Sequence, residues 1–518
     1  MRLKNKIDKL FVVMKKTHLI ALTLAISVLF VILFYQKMIG INLLLFEVAV
    51  IPIMFYVNRP VKFNFLTSSI LFTTGLTAVF AVIISTSWGI FINFVLLFCL
   101  GYVLAFQKGK SFSHVVCGAF LRCFLAQISF FTSHPEDQAT ANLPSSAMKK
   151  AYKFFFFVVI PVCILLFFFF LYTSSSSIFS QSVQPFLNTM ADMLSNINFS
   201  LLFFFILGII VVNPLLMRIK PLSIYEHDLS SYNDLKRIRK KQYFSFRANA
   251  LQTQNTTGIV LLFMLNALIL CFNYVDITNI WIGFEWDGTF LKEFVHEGTW
   301  ILLFSVCISA IIALYFFHSN LNFYSKNKLL KRLTVLWIAQ NFIMTVSVAI
   351  RNLYYINYFG LAYKRIAVLF FLALVAVGLI TIIIKILKIK SSYFLWRING
   401  FSLLAVLTVS SLFNWDVIIT KYNFAHYNRS LIEYRFICEL SNASLPYAIK
   451  TLEQLSDIDA VQRKTMPFDI SQDHLWSYEK YYENIYKKKD NFLNTYKSRS
   501  ILEWNLPDYS AYKKLSYN

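Results

Sequence analysis

Residues 365–386 read RIAVLFFLALVAVGLITIIIKI, and no residue between Arg365 and Lys385 carries a charge. An α-helix needs about 20 apolar residues to cross roughly 30 Å of hydrocarbon, so this stretch reads as a membrane span. Ten others of the same kind lie near 18–35, 40–57, 65–84, 88–106, 154–172, 198–217, 257–275, 298–317, 333–350 and 398–415. A chain of 518 residues that is 57% hydrophobic and 14% charged falls outside the range of soluble domains. The expected fold is an all-α integral membrane protein with about eleven transmembrane helices and a C-terminal helical extracytoplasmic tail.

The net charge of +23 is unevenly spread. About 30 of the Lys and Arg residues fall in the N-terminal tail and the even-numbered connections, and about five in the odd-numbered ones. Lys236, Arg237, Arg239, Lys240 and Lys241 mark one rich loop, and Lys326, Lys328, Lys331 and Arg332 another. Positive residues collect on the cytoplasmic side, so the N-terminus is expected inside and, after eleven crossings, the tail outside. The basic excess thus reads as an orientation signal and a contact for the lipid bilayer, and no nucleic-acid partner is expected.

Residues 1–17 form a basic cytoplasmic N-terminus, and the first apolar stretch is too long for a signal-peptide core, so it reads as a retained anchor. Residues 18–415 form the transmembrane domain. Within it, 111–131 is apolar but carries His114 and Arg122. A crossing there would invert the charge bias of every later loop, so a helix lying at the interface is expected. Residues 182–196 show apolar positions at helical spacing and read as an external amphipathic segment. Residues 416–518 are rich in Tyr and Lys, lack Gly, and show helical patterning, as a small helical domain would. No repeat relates the two halves, which weakens an inverted-repeat argument for a transporter.

Glu47 sits in the middle of an apolar span, where a charge costs at least about 2.5–3.5 kcal/mol. It reads either as a proton or cation site or as a protonated acid bonded to a neighbouring helix. Gln340 and Asn341 lie inside the ninth span, with Thr345 one turn on, and Asn266 lies in the seventh. They read as partners for Glu47 or, more simply, as hydrogen-bonding glue between helices. A charged cluster is expected at the outer face. Glu285, Asp287, Glu293, His296 and Glu297 precede the eighth span, and Arg351, Lys364 and Arg365 flank the connection between the ninth and tenth. It would latch the outer loops together or hold an anionic ligand.

Motifs for chemistry fail on inspection. His296-Glu297 begins like a zinc-protease helix, but Trp300 stands where the second His belongs. Gly109-Lys110-Ser111 ends like a P-loop, but Leu104 replaces its first glycine. No catalytic residue, metal ligand set or cofactor is assigned.

Three stretches together carry a family resemblance: His296-Glu297-Gly298-Thr299, Trp337 to Asn341, and Tyr358 to Arg365. With Trp504-Asn505-Leu506 and Tyr509 in the tail, the chain resembles the bacterial polytopic membrane proteins grouped as domain of unknown function 4173, related to 4153. The resemblance covers roughly 200–518, with Ala362 where Thr is expected. It implies a multi-pass protein of the bacterial cytoplasmic membrane without an established activity. The expected role is a non-enzymatic sensor, scaffold or accessory subunit, meeting a membrane or periplasmic protein partner through its tail. The alternatives are a secondary transporter with Glu47 as coupling site, and a lipid-handling enzyme using His296 and Glu297 at the outer face.

Overall fold

The computed structural model describes residues 16–131, 199–217, 222–237, 250–282, 290–317, 320–465 and 476–517, with a few positions between 161 and 188. Its elements are α-helices with short 3-10 and π turns. The expected span at 154–172 and the external segment at 182–196 lie largely outside the described residues.

Five helices come first: α1 (Lys16–Phe34), α2 (Ile41–Val57), α3 (Phe65–Ile83), α4 (Ser87–Ala105) and α5 (Phe112–Phe131). Then follow α6 (Phe199–Leu216), α7 (Leu222–Ser230), α8 (Ala250–Asp276), α9 (Phe290–Phe316), α10 (Lys328–Phe359), α11 (Tyr363–Leu387) and α12 (Ser392–Ser411). Among the described residues eight helices are long and apolar enough to cross a membrane, and shorter apolar helices run over Ile41–Val57, Phe112–Gln127 and Ile301–Phe316. The protein is therefore an all-α, multi-pass membrane protein with about eight candidate membrane-spanning helices. These helices expose large apolar side chains such as Phe263 and Phe304, each 67% exposed, as surfaces facing lipid do.

The chain divides into two compact units, 1–75 with 94–109 and 114–229, and 76–93 with 110–113 and 230–518. In the first, α1 packs on α2 and α6. Gly208 makes the α1–α6 approach feasible, since a Cβ there would lie 3.1 Å from the Ser27 carbonyl oxygen. The rings of Phe30, Phe34 and Phe46 meet tilted or edge-on at the α1–α2 contact with centroids 4.8–5.7 Å apart. Helix α5 is anchored through Arg122, which is 1% exposed. Its guanidinium donates to the Met217 carbonyl at the end of α6, at 3.0 Å from Nε, and to the Gly101 carbonyl in α4.

In the second unit, α8, α9, α10 and α11 share an apolar core around Leu262, Val306, Ile338 and Leu379. Lys385 is fully buried and donates its Nζ to the Phe317 carbonyl just past α9, at 2.7 Å. A cation there satisfies a helix end that has no further backbone donor. The C-terminal region forms α13 (Trp415–Ala425), α14 (Tyr434–Glu439), α15 (Leu445–Ala448), α16 (Leu452–Thr465), α17 (Tyr478–Lys497) and α18 (Leu506–Ser516). Their core, built on Ile419, Ile437, Leu455, Tyr481 and Ile485, also takes in Ile366 of α11.

Candidate functional site

The polar residues of α8 and α10 recur at two-turn intervals, Asn266 and Asn273 on one helix, Gln340 and Ser347 on the other. A seven-residue repeat keeps such residues on one stripe, and the stripes face each other. Gln340 Nε2 donates to Asn266 Oδ1 at 2.7 Å, Asn266 Nδ2 to the Leu333 carbonyl at 3.1 Å, and Asn273 Nδ2 to the Gln340 carbonyl at 3.1 Å. Bonded partners are separated by 67 to 75 residues all along the seam, so the two helices run parallel.

The seam ends on a buried charge pair. The Asp276 carboxylate accepts from Arg351 Nη2 on one oxygen and from the Ser347 hydroxyl on the other. The side chains of Asp276 and Arg351 are 4% and 7% exposed. Directly after Asp276 the chain makes a π turn over Ile277–Ile282. A carboxylate held by a guanidinium and a hydroxyl is a structural anion, and the pair fixes the register of α8 against α10. The amide oxygens of Asn273, Gln340 and Asn341 are buried and have no hydrogen-bond partner among the described residues. Asn341 Nδ2 bonds within its own helix to the Trp337 carbonyl, and Thr345 Oγ1 to the Asn341 carbonyl.

A second constellation braces the turn between α10 and α11. Gly360 adopts φ +76° and ψ −176°, a region close to glycine-only. Asn423 of α13 clamps the next residue, accepting from Leu361 N at 2.6 Å and donating to Leu361 O at 3.0 Å. Arg365 donates to the Phe359 carbonyl at 2.7 Å and to that of Gly360, with its guanidinium 4.4 Å from the Tyr355 ring centre. The Tyr363 hydroxyl donates to Asp416, whose other oxygen accepts from Ser441 N at 2.8 Å. Lys364 is exposed. Two of the three bases that the sequence set apart thus engage nearby groups: Arg351 meets Asp276, and Arg365 meets the turn that precedes it.

Asp276 escaped the sequence reading because it sits just past the expected end of the seventh span. An acid closing an apolar run, with an arginine closing another, was the available signal. Glu285 and Asp287 lie outside the described residues, as do the side chains of His296 and Glu297 within α9. Glu47 is 2% exposed in α2, in the first unit, whereas Gln340 and Asn341 belong to the second. Among the described residues no group of three or more His, Cys, Asp or Glu stands where it could hold a metal ion.

No curated protein and no solved structure matches the chain. A family model described as domain of unknown function DUF4153 matches residues 71–451. That range takes in the α8–α10 seam and the α10–α11 turn, with the Tyr358 to Arg365 stretch, but not the Trp504 region. The chain belongs to the DUF4153 family of polytopic membrane proteins.

Proposed function

We propose that the protein is a non-enzymatic membrane platform, a scaffold or accessory subunit that presents its C-terminal helices to a protein partner outside the membrane. One observation carries this reading: the C-terminal helices build a common core with Ile366 of α11, so the presented surface is fused to a span rather than tethered to it. The exposed apolar group Ile501 (85%), Trp504 (38%), Leu506 (39%) and Tyr509 (43%) supports it, because aromatic and aliphatic anchors of this kind carry binding energy at interfaces. In this proposal eleven spans place the N-terminus in the cytoplasm and the tail outside a bacterial cytoplasmic membrane, and the likeness to family 4173 over the C-terminal half is retained. A photo-crosslinking residue at Trp504 in the full-length protein should capture one recurring partner, and the same residue at Phe263 on the lipid face should not. Identical, diffuse products from both positions would remove the proposal.

Glu47 favours one other reading, a secondary transporter with that carboxylate as coupling site. Proton-coupled uptake lost in Glu47→Gln, with the protein still folded, would favour it over the platform. An unchanged pH response in Glu47→Gln would discard it.

A further inference from the structure

A cleft of about 790 Å³ opens beside α11, lined by the first turns of α4, the first half of α11, and the last turns of α12. Its volume falls within the roughly 300–1,000 Å³ usual for small-molecule sites. It lies wholly in the second unit. Its walls are aromatic and aliphatic: Phe91, Phe370, Phe371, Leu374, Leu403 and Val406. Phe370 meets Trp415 edge-on with ring centres 5.8 Å apart, which closes the end nearest the C-terminal helices.

The polar atoms of the lining are engaged within the protein. Trp88 Nε1 donates to the Ser410 hydroxyl at 2.9 Å, and that hydroxyl donates to the Leu407 carbonyl at 2.9 Å. Trp415 Nε1 donates to the Ser410 carbonyl at 2.8 Å, and Thr86 Oγ1 accepts from Gly89 N at 3.1 Å. Asp416 holds Tyr363 and Ser441 as described above. Among the described lining residues the Ser87 hydroxyl, at the same end, is left to an occupant. The interior of the cleft therefore rewards hydrocarbon and offers little to a sugar, a nucleotide or an ion.

Depth and access narrow the occupant further. From Tyr363 to Leu374 the cleft follows α11 for about 16 Å at ~1.5 Å per residue. Half of a ~30 Å hydrocarbon core is about 15 Å, so the cleft is as deep as one leaflet. Its rim faces outward, with Trp88 44%, Phe91 57% and Phe371 42% exposed on membrane-spanning helices. We infer that the cleft holds one acyl chain of a bilayer phospholipid, lying along α11 with its headgroup at the Tyr363–Asp416 end. A phospholipid reaches this rim from the surrounding bilayer without leaving it, which favours it over a free fatty acid arriving from water.

The test uses full-length protein in lipid nanodiscs containing a phosphatidylcholine with a diazirine near the end of one acyl chain. After irradiation, labelled peptides are mapped by mass spectrometry. Labelling of the cleft walls in 366–374 and 403–407 should exceed that of the lipid-facing surface around Phe263 by at least about fivefold. Ala367→Trp, which fills the cleft from an exposed position, should abolish the excess and leave the Phe263 labelling unchanged. Leu403→Phe serves as a second filling variant if the first fails to assemble. Equal labelling of cleft and Phe263 surface, or an excess that survives both variants, overturns the inference. Native mass spectrometry of protein released from its own membrane should show a retained phospholipid, and retention of a free fatty acid instead would equally refute it.

Discussion

Replacing Asp276 by Leu leaves the Arg351 guanidinium buried without its carboxylate and removes the acceptor of the Ser347 hydroxyl. Side-chain exposures of 4% and 7% put this pair in the buried class. There, loss of one partner costs about 3–5 kcal/mol, whereas replacing both with apolar residues is near neutral. The expected loss for Asp276→Leu is about 3 kcal/mol, since Ser347 can bond within its own helix, or roughly two decades in the folding equilibrium constant. Arg351→Met should cost a similar amount by stranding the carboxylate. The double variant Asp276→Leu/Arg351→Met should recover to within about 1 kcal/mol of wild type. That shortfall from additivity is the signature of a direct pair. The assay is reversible unfolding of the full-length protein in lipid, by steric trapping, on all four members of the cycle. Strict additivity would refute the pairing, and a single Asp276→Leu within 1 kcal/mol of wild type would refute the claim that it is buried and charged.

Asn341→Leu should hold or raise stability, because its Oδ1 is buried without a partner among the described residues and its Nδ2 bonds only within α10; a loss above about 1 kcal/mol in the same assay would mean that the amide holds something across the helices. Gly360→Ala should cost more than the roughly 1–3 kcal/mol of its backbone strain. A Cβ would lie 2.6 Å from Asn423 Oδ1 and break that clamp, and limited proteolysis should then cut the C-terminal helices faster. Alkaline pH should unfold the same helices. Burial pushes the Tyr434 hydroxyl up, with help from Asp459, and raises Tyr481 well above its ordinary 10.0. Their stabilisation is complete below pH 10 and is lost as the pH rises through the raised folded values. Near-ultraviolet dichroism should follow that loss, and Tyr434→Phe should shift the midpoint upward. Cys438, pushed up to about 11 mainly by burial, should react with maleimide at pH 7 far more slowly than an unfolded thiol.

Periodicity exposed the helices well and their partners poorly. The expected spans near 365–386 and 333–350 reappear as α11 and α10, but α10 extends nine residues further, to Phe359. Hydropathy fades over Arg351-Asn352-Leu353-Tyr354-Tyr355, whereas the helix continues, with Arg351 neutralised by Asp276 and Ile356 buried. Asn266 and Gln340 were legible as polar residues in apolar runs. Their mutual bond was not, since composition carries no information about which helix faces which. The Tyr358 to Arg365 stretch stood out as a pattern without a reason. The structure gives one: glycine for the turn, an open backbone for Asn423, a hydroxyl for Asp416 and a guanidinium for two carbonyls. The bonds to Asn423 and Asp416 join residues more than fifty positions apart, beyond any local rule.

The Asn423 clamp has a bearing on biosynthesis. Chains emerge from the ribosome N-terminus first, so the turn at Gly360 enters the membrane with its backbone groups on Leu361 still waiting for an acceptor and a donor. Both arrive only when α13 has been made and delivered to the same side of the bilayer. A later-made portion of the polypeptide therefore completes a joint laid down earlier, and a nascent protein stalled or truncated before Asn423 would carry an unfinished hairpin, visible to quality control while α10, α11 and α12 are already in place.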